Sequence, residues 1–346
     1  MSDEKNNLEK SDFKEDDPKI VEISESTLDQ EEEKEAVEKD FVPHFFPTFR
    51  INRKLYSVPI LLVVILSGIL AYLTYFVAGI REDAGYIPET QFGAIAGILN
   101  GVIFTALAGV SAFILIYFVK KKGINVLKYV FGFSFGLLGF FLTVFFGEII
   151  IFILLGMIPL IVDIGLYIIV AILSLLMLYA YFTTESVFAK DAIVLYIGLL
   201  TGAMLGVVMP LWTTLAILIG ISLWDIFAVL YKKGPIKEMI DLASNSESDE
   251  EIEDAEEKVK RGEAEYDTSK LEIGIGDLAF YSMLTSSALI QTGNLFVMIF
   301  TSIAIIAGTG ITISGLSKNK ILPGLPISIF LGIGTMLLSW LLFITF

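Results

Sequence analysis

Two aspartates stand in runs of sequence otherwise apolar enough to cross a bilayer: Asp225 in LWDIFAVLYKK, Leu223 to Lys233, and Asp277 in LEIGIGDLAFYS, Leu271 to Ser282. An ionisable group at membrane depth is costly and marks a functional site by default. Asp225 lies seven residues before Lys232 and Asp277 seven after Lys270. At about 1.5 Å of helix rise per residue, each sits roughly 10 Å inside its charged flank. Neither has a Lys or Arg within its own span, so sequence neighbours offer no salt bridge. Two such acids facing each other cannot both ionise cheaply, and repulsion with desolvation leaves one proton shared between them. A pair in that state can activate water: one carboxylate draws a proton from it while the other, protonated, polarises a carbonyl. A lone membrane aspartate could equally relay protons or ions.

The elements that must position this pair are membrane helices. The chain has 346 residues, 55% hydrophobic, with mean hydropathy +0.75, and repeated apolar runs of about 18 to 28 residues predict an all-α polytopic membrane protein. Nine spans are expected, at 58–80, 92–119, 126–147, 164–182, 192–209, 211–231, 273–290, 295–316 and 325–346. The third boundary is the softest, because apolar residues continue from Ile149 through Ile161, past Glu148. The first run begins near Val58, late and long for a cleaved leader, and is expected to stay as the first helix.

Net charge is −15, but residues 1–40 carry −10 of it and residues 241–265 carry −8, leaving about +3 elsewhere. The acidity therefore belongs to an arm, residues 1–45, expected to be disordered, and to a loop, residues 232–272. Nothing supports nucleic-acid binding. The basic residues Arg50, Arg53, Lys54, Lys120 to Lys122, Lys190, Lys232, Lys233, Lys237, Lys270, Lys318 and Lys320 all fall on one side if nine spans is right. The positive-inside rule then puts the N-terminus in the cytoplasm and the C-terminus outside. Spans six and seven are thus antiparallel, with Asp225 and Asp277 at one level.

Small residues recur every four positions in span two (Gly93, Gly97, Gly101, Thr105, Gly109) and span five (Gly198, Gly202, Gly206), the pattern that lets helix backbones approach closely in lipid. Pro210 makes spans five and six a tight pair. Gly274 and Gly276 precede Asp277 in GIGD, where missing side chains let another backbone approach the acid and loosen the helix start. LPGLPISIF, Leu322 to Phe330, opens the last span. Pro323 and Pro326 lack backbone donors and restrict the residue before each, so this entrance should be irregular and lie at the depth of the aspartates.

Together these residues resemble the presenilin and signal peptide peptidase family of intramembrane aspartyl proteases, especially its archaeal presenilin homologues. The resemblance covers nine spans and three motifs in order: Tyr-Asp in helix six, Gly-x-Gly-Asp in helix seven and Pro-Ala-Leu at helix nine. They stand here as Trp224-Asp225, Gly274-Ile275-Gly276-Asp277 and Pro323-Gly324-Leu325. The resemblance implies that Asp225 and Asp277 are the catalytic dyad and that Pro323, Gly324 and Leu325 shape the site and hold substrate. It implies hydrolysis of peptide bonds inside transmembrane helices of other proteins, with no metal or cofactor. Trp224 replaces the family's tyrosine, removing any phenol hydrogen bond although the indole N–H can donate; Gly324 replaces alanine. The orientation matches presenilins, since signal peptide peptidases are built the other way up. Likeness to the archaeal members implies a prokaryotic plasma membrane and activity without accessory subunits. The acidic loop occupies the place of the segment that presenilins self-cleave.

Other protease chemistries lack their residues. The one histidine, His44, precedes the first span in an interfacial setting, so neither an H-E-x-x-H zinc site nor a serine–histidine pair forms at membrane depth. With no cysteine there is no thiolate site. The alternative from another class is a proton-coupled transporter using the same aspartates as proton carriers. Its expected inverted repeats are not visible. A silent scaffold conflicts with the cost of two acids at depth.

Overall fold

The computed structural model describes residues 35–38, 48–81, 83–123, 125–184, 186–231, 264–267, 270–316 and 323–345. His44, nearly all of the acidic arm at 1–45 and most of the loop at 232–272 lie outside them. Among the described residues there are nine long helices: α1 Ser57–Tyr72, continued by a π-helical turn Leu73–Val77, α2 Ala94–Lys122, α3 Asn125–Leu155, α4 Leu160–Thr183, α5 Val187–Val208, α6 Leu211–Leu230, α7 Ile275–Thr292, α8 Leu295–Leu316 and α9 Leu325–Thr345.

Eight of these are long and apolar enough to cross a membrane. The exception is α7, the helix of Asp277, which carries Ser282, Thr285, Ser286 and Ser287, all fully buried. It reads as less apolar because its neighbours are other helices, and small residues suit close helix–helix contact better than large aliphatic ones do. From Leu278 to Ile290, α7 is buried at every position except Phe280. Its principal neighbour is α5, and α1, α8, α6 and α9 also pack against it. By contrast α4 buries only Val170 and Tyr181.

The soft third boundary resolves as helix. α3 runs on to Leu155, and Glu148 does not interrupt it because its carboxylate accepts from Tyr167 Oη of α4 at 2.9 Å. α4 accordingly starts at Leu160 behind Pro159, four residues before the sequence expectation. α7 closes on Gly293 in the left-handed region (φ 64°), its N–H bonded to the Leu289 carbonyl, a conformation glycine adopts without steric cost.

Four short strands were not foreseen. In one unit, β1 (Glu35–Glu38) pairs in parallel with β3 (Ala264–Asp267). In the unit that holds the helices, β2 (Thr48–Asn52) pairs antiparallel with β4 (Lys270–Gly274), with Thr48 opposite Gly274 and Arg50 opposite Glu272. Residues 273 and 274, expected in span seven, are therefore strand.

Candidate active site

Each acid-bearing helix is seated on a stripe of small residues. A Cβ on Gly97 or Gly101 of α2 would overlap Trp212 or Ala216 of α6; Gly220 of α6 meets Thr105 in the same way, and Gly109 faces the Trp224 ring at 3.2 Å. On the other side, Gly202 and Gly206 of α5 leave room for Ser282 and Ser286 of α7, and Gly198 faces Leu278 Cβ at 3.3 Å. Gly93 departs from the expected stripe. It lies outside α2 at φ 56° and breaks that helix from a one-turn helix, Glu89–Phe92.

Asp225 stands five residues before the end of α6, and Asp277 in the first turn of α7, three residues after the strand-to-helix switch at Gly274. Both are half-buried. They meet at the opening of α9. The Leu325 N–H, one of the amides that a helix start leaves without an internal acceptor, donates to Asp225 Oδ2 at 3.2 Å. A Cβ on the preceding Gly324 would stand 3.3 Å from Asp277 Oδ2. As expected, Pro323 and Gly324 are non-helical and α9 begins at Leu325, with Pro323 and Leu325 buried. Pro326 falls in the first turn, where its missing N–H has no acceptor to serve.

The remaining expected residues have more limited places. The Trp224 ring lies against Gly109, edge-on to Phe113 (centroids 6.0 Å apart) and tilted against Phe227 (5.5 Å), so it keys α6 onto α2. A Cβ on Gly274 or Gly276 would meet only ordinary contacts, with Asp277 at 3.9 Å and Phe280 at 3.8 Å, so among the described residues no other backbone presses on these two glycines. Beside Trp224 an apolar groove of about 1080 Å³ runs between α2 and α6, reaching Ile333 and Leu337 of α9.

Sequence reading missed a cluster of three hydroxyls one turn below the pair. Tyr281, 1% exposed, donates to Ser328 Oγ of α9 at 3.2 Å; Thr309 of α8 lies 3.0 Å from Ser328 Oγ and donates to Tyr281 Oη at 3.4 Å. Helical spacing offered a partial signal, since Tyr281 follows Asp277 by four residues and Ser328 follows Leu325 by three. Thr309 carried none.

The fold is that of a polytopic helical membrane protein in which Asp225 and Asp277 both lie at the opening of α9. The sequence matches the Presenilin family over residues 57–252 and 244–346. The chain belongs to that family. It is 39% identical over 127 residues to Presenilin-B of Dictyostelium discoideum, a match spanning 36% of this chain and only 25% of that protein's length. It is 26% identical over 313 residues to a presenilin-like protein of Arabidopsis thaliana, covering 69% of this chain and 76% of the relative. Its fold is similar to two solved structures of a presenilin family intramembrane aspartate protease, in P2 and C222 space groups. Each has a TM-score of 0.54 and 15% identity over 83% of this chain, covering 96% and 99% of those chains.

Proposed function

We propose that this protein is an intramembrane aspartyl protease in which Asp225 and Asp277 activate water to hydrolyse peptide bonds within transmembrane segments of other membrane proteins. The observation that carries the reading is the convergence of both carboxylates on Gly324–Leu325, one through the Leu325 amide and the other 3.3 Å from where a Cβ on Gly324 would stand. Two acids held at one helix opening, with no basic side chain in either span, have the arrangement in which one can be ionised while its partner holds a proton.

The ionised carboxylate takes a proton from water as the oxygen attacks the scissile carbonyl, and the protonated one hydrogen-bonds the carbonyl oxygen as it gains charge. The tetrahedral diol then collapses. The C–N bond breaks, the amine nitrogen takes a proton from the pair, and carboxyl and amine products leave. The intact helix of a substrate shields its carbonyls, so the cleaved stretch must unwind. Pro323 and Gly324, where backbone is non-helical beside the acids, and Leu325 at the helix start are the residues to hold it extended. The apolar groove beside Trp224 offers a hydrophobic segment a path in the plane of the membrane. In this reading the N-terminus is cytoplasmic, the membrane is that of a prokaryote, water enters from the cytoplasmic side, and no accessory subunit is needed.

The test is cleavage of a single-span substrate by the purified protein in lipid, compared with Asp225→Ala and Asp277→Ala. Loss of cleavage in both variants is the expected result. Wild type and variants equally inactive toward several substrates, with proton-coupled flux lost in each variant, would instead make the aspartates proton carriers.

A further inference from the structure

We propose that β2, the strand ahead of the first membrane helix, is a positioning element for Asp277, with Arg50 as its central residue; this rests on the reading of Asp277 as catalytic. β4 leads directly into α7, and its last residue, Gly274, lies three positions before Asp277. Among the described residues the ladder partner of β4 is β2. A five-residue strand without a partner would keep most of its backbone freedom, and two glycines at the junction would pass that freedom on to the first turn of α7.

The side chains of β2 hold the ladder in place. Arg50 Nε lies 2.8 Å from Glu272 Oε1, and Thr48 Oγ1 donates to Glu272 Oε2 at 2.9 Å, so both carboxylate oxygens of β4's one acid are taken by β2. The Arg50 N–H donates to Asp191 Oδ1 of α5 at 3.0 Å, and Asp191 is 8% exposed. That carboxylate is a buried acid the hydrolytic mechanism does not use. Its partner on β2 ties the strand to α5, the helix that seats α7. Phe49 and Ile51 pack against the main hydrophobic core along with Leu271 and Ile275. Beyond the strand, Arg53 Nη2 donates to the Ile313 carbonyl at 2.6 Å and Tyr56 Oη to the Ile306 carbonyl at 3.4 Å, both on α8.

An exposed ion pair contributes little to such a clasp. Here the Arg50 and Glu272 side chains are only 17% and 24% exposed, and the contact is one part of a network reaching α5. Arg50 therefore acts on the reaction through β4, with no contact to substrate required.

The experiment uses the full chain in lipid, comparing wild type with Arg50→Ala, Arg50→Lys and the charge-reversed pair Arg50→Glu/Glu272→Arg. Backbone amide exchange is read over residues 270–276 and over the deep part of α7, and kcat and KM are read on a single-span substrate. In Arg50→Ala, exchange over 270–276 should rise about tenfold with the deep amides unchanged, and kcat should fall about tenfold at constant KM. Arg50→Lys should fall between the two, and the reversed pair should restore both readings toward wild type. Unchanged exchange over 270–276 in Arg50→Ala, or a reversed pair that restores neither reading, overturns the proposal. If the wild type shows no cleavage sensitive to Asp277→Asn, the protease reading fails separately, and the exchange data alone decide whether β2 orders this junction.

Discussion

At the scale of single residues, the site is an arrangement of oxygen atoms around the first amides of α9. Asp225 accepts from the Leu325 N–H, so Asp225→Asn keeps the shape and the hydrogen bond while removing one ionisable carboxyl of the pair. That variant and Asp277→Asn should each lower cleavage about 10²–10⁴-fold with the thermal unfolding midpoint in detergent nearly unchanged; a variant inactive because it is unfolded would show itself in that midpoint. Gly324 is a finer probe. With only 3.3 Å between its Cβ position and Asp277 Oδ2, Gly324→Ala demands a shift of a few tenths of an ångström, whereas Gly324→Val forces the carboxylate aside. Kinetics should show a modest effect for the first and a far larger loss of kcat for the second. Tyr281→Phe removes one member of the hydroxyl cluster but leaves Thr309 and Ser328 paired at 3.0 Å. The expected cost is about 1 kcal/mol, read as a lower unfolding midpoint with activity reduced and not abolished.

At the scale of elements, each aspartate is only as well placed as the helix beneath it. α7 rests on α5 through Gly202 and Gly206, where a Cβ would overlap Ser282, Ser286 and the Ala279 carbonyl. Gly202→Val should therefore separate the two helices at a cost of about 3 kcal/mol and take activity with it. Gly165→Val on α4, where nothing lies within 4 Å of the added Cβ, should leave both the unfolding midpoint and the activity close to wild type. Equal destabilisation by the two would remove the case for a small-residue seat. The same contrast explains why α4 can be so exposed: it carries no part of the site, and its apolar side chains have lipid as their solvent.

At the scale of the whole molecule, the nine long helices among the described residues bring to one end groups far apart in the chain: Asp225, Asp277 and the opening of α9 at residues 323–325, braced by Asp191 and the 48–56 segment. A paired-carboxylate mechanism operates only while one proton is shared. At low pH both acids are protonated and no base remains; at high pH both are ionised and no acid remains. Cleavage rate against pH should be bell-shaped, with limbs that belong to the pair and not to either residue. A rate flat from mildly acidic to neutral pH would count against shared-proton catalysis.

Much of this protein is legible without a structure because the deciding signals are local. Apolar runs locate the helices, and α2, α6, α8 and α9 begin or end within a few residues of the hydropathy expectation. The two acids declare themselves by the cost of charge at depth, and the prolines at 323 and 326 announce a non-helical opening. What sequence could not supply is whatever depends on which surfaces meet. Glu148 read as a boundary until Tyr167 supplied its hydrogen bond. Arg50 read as a topology charge until β2 met β4 across about 220 residues of chain, because five-residue strands of mixed polarity carry too little periodicity to be seen. The hydroxyl cluster draws on α7, α8 and α9 at once. Local composition determined that this chain is a polytopic helical membrane protein and picked out two acids in otherwise apolar runs. Only tertiary packing decided that both acids close on the same turn and that a strand before the first helix holds the second one in place, since those contacts exist only between segments distant in the chain.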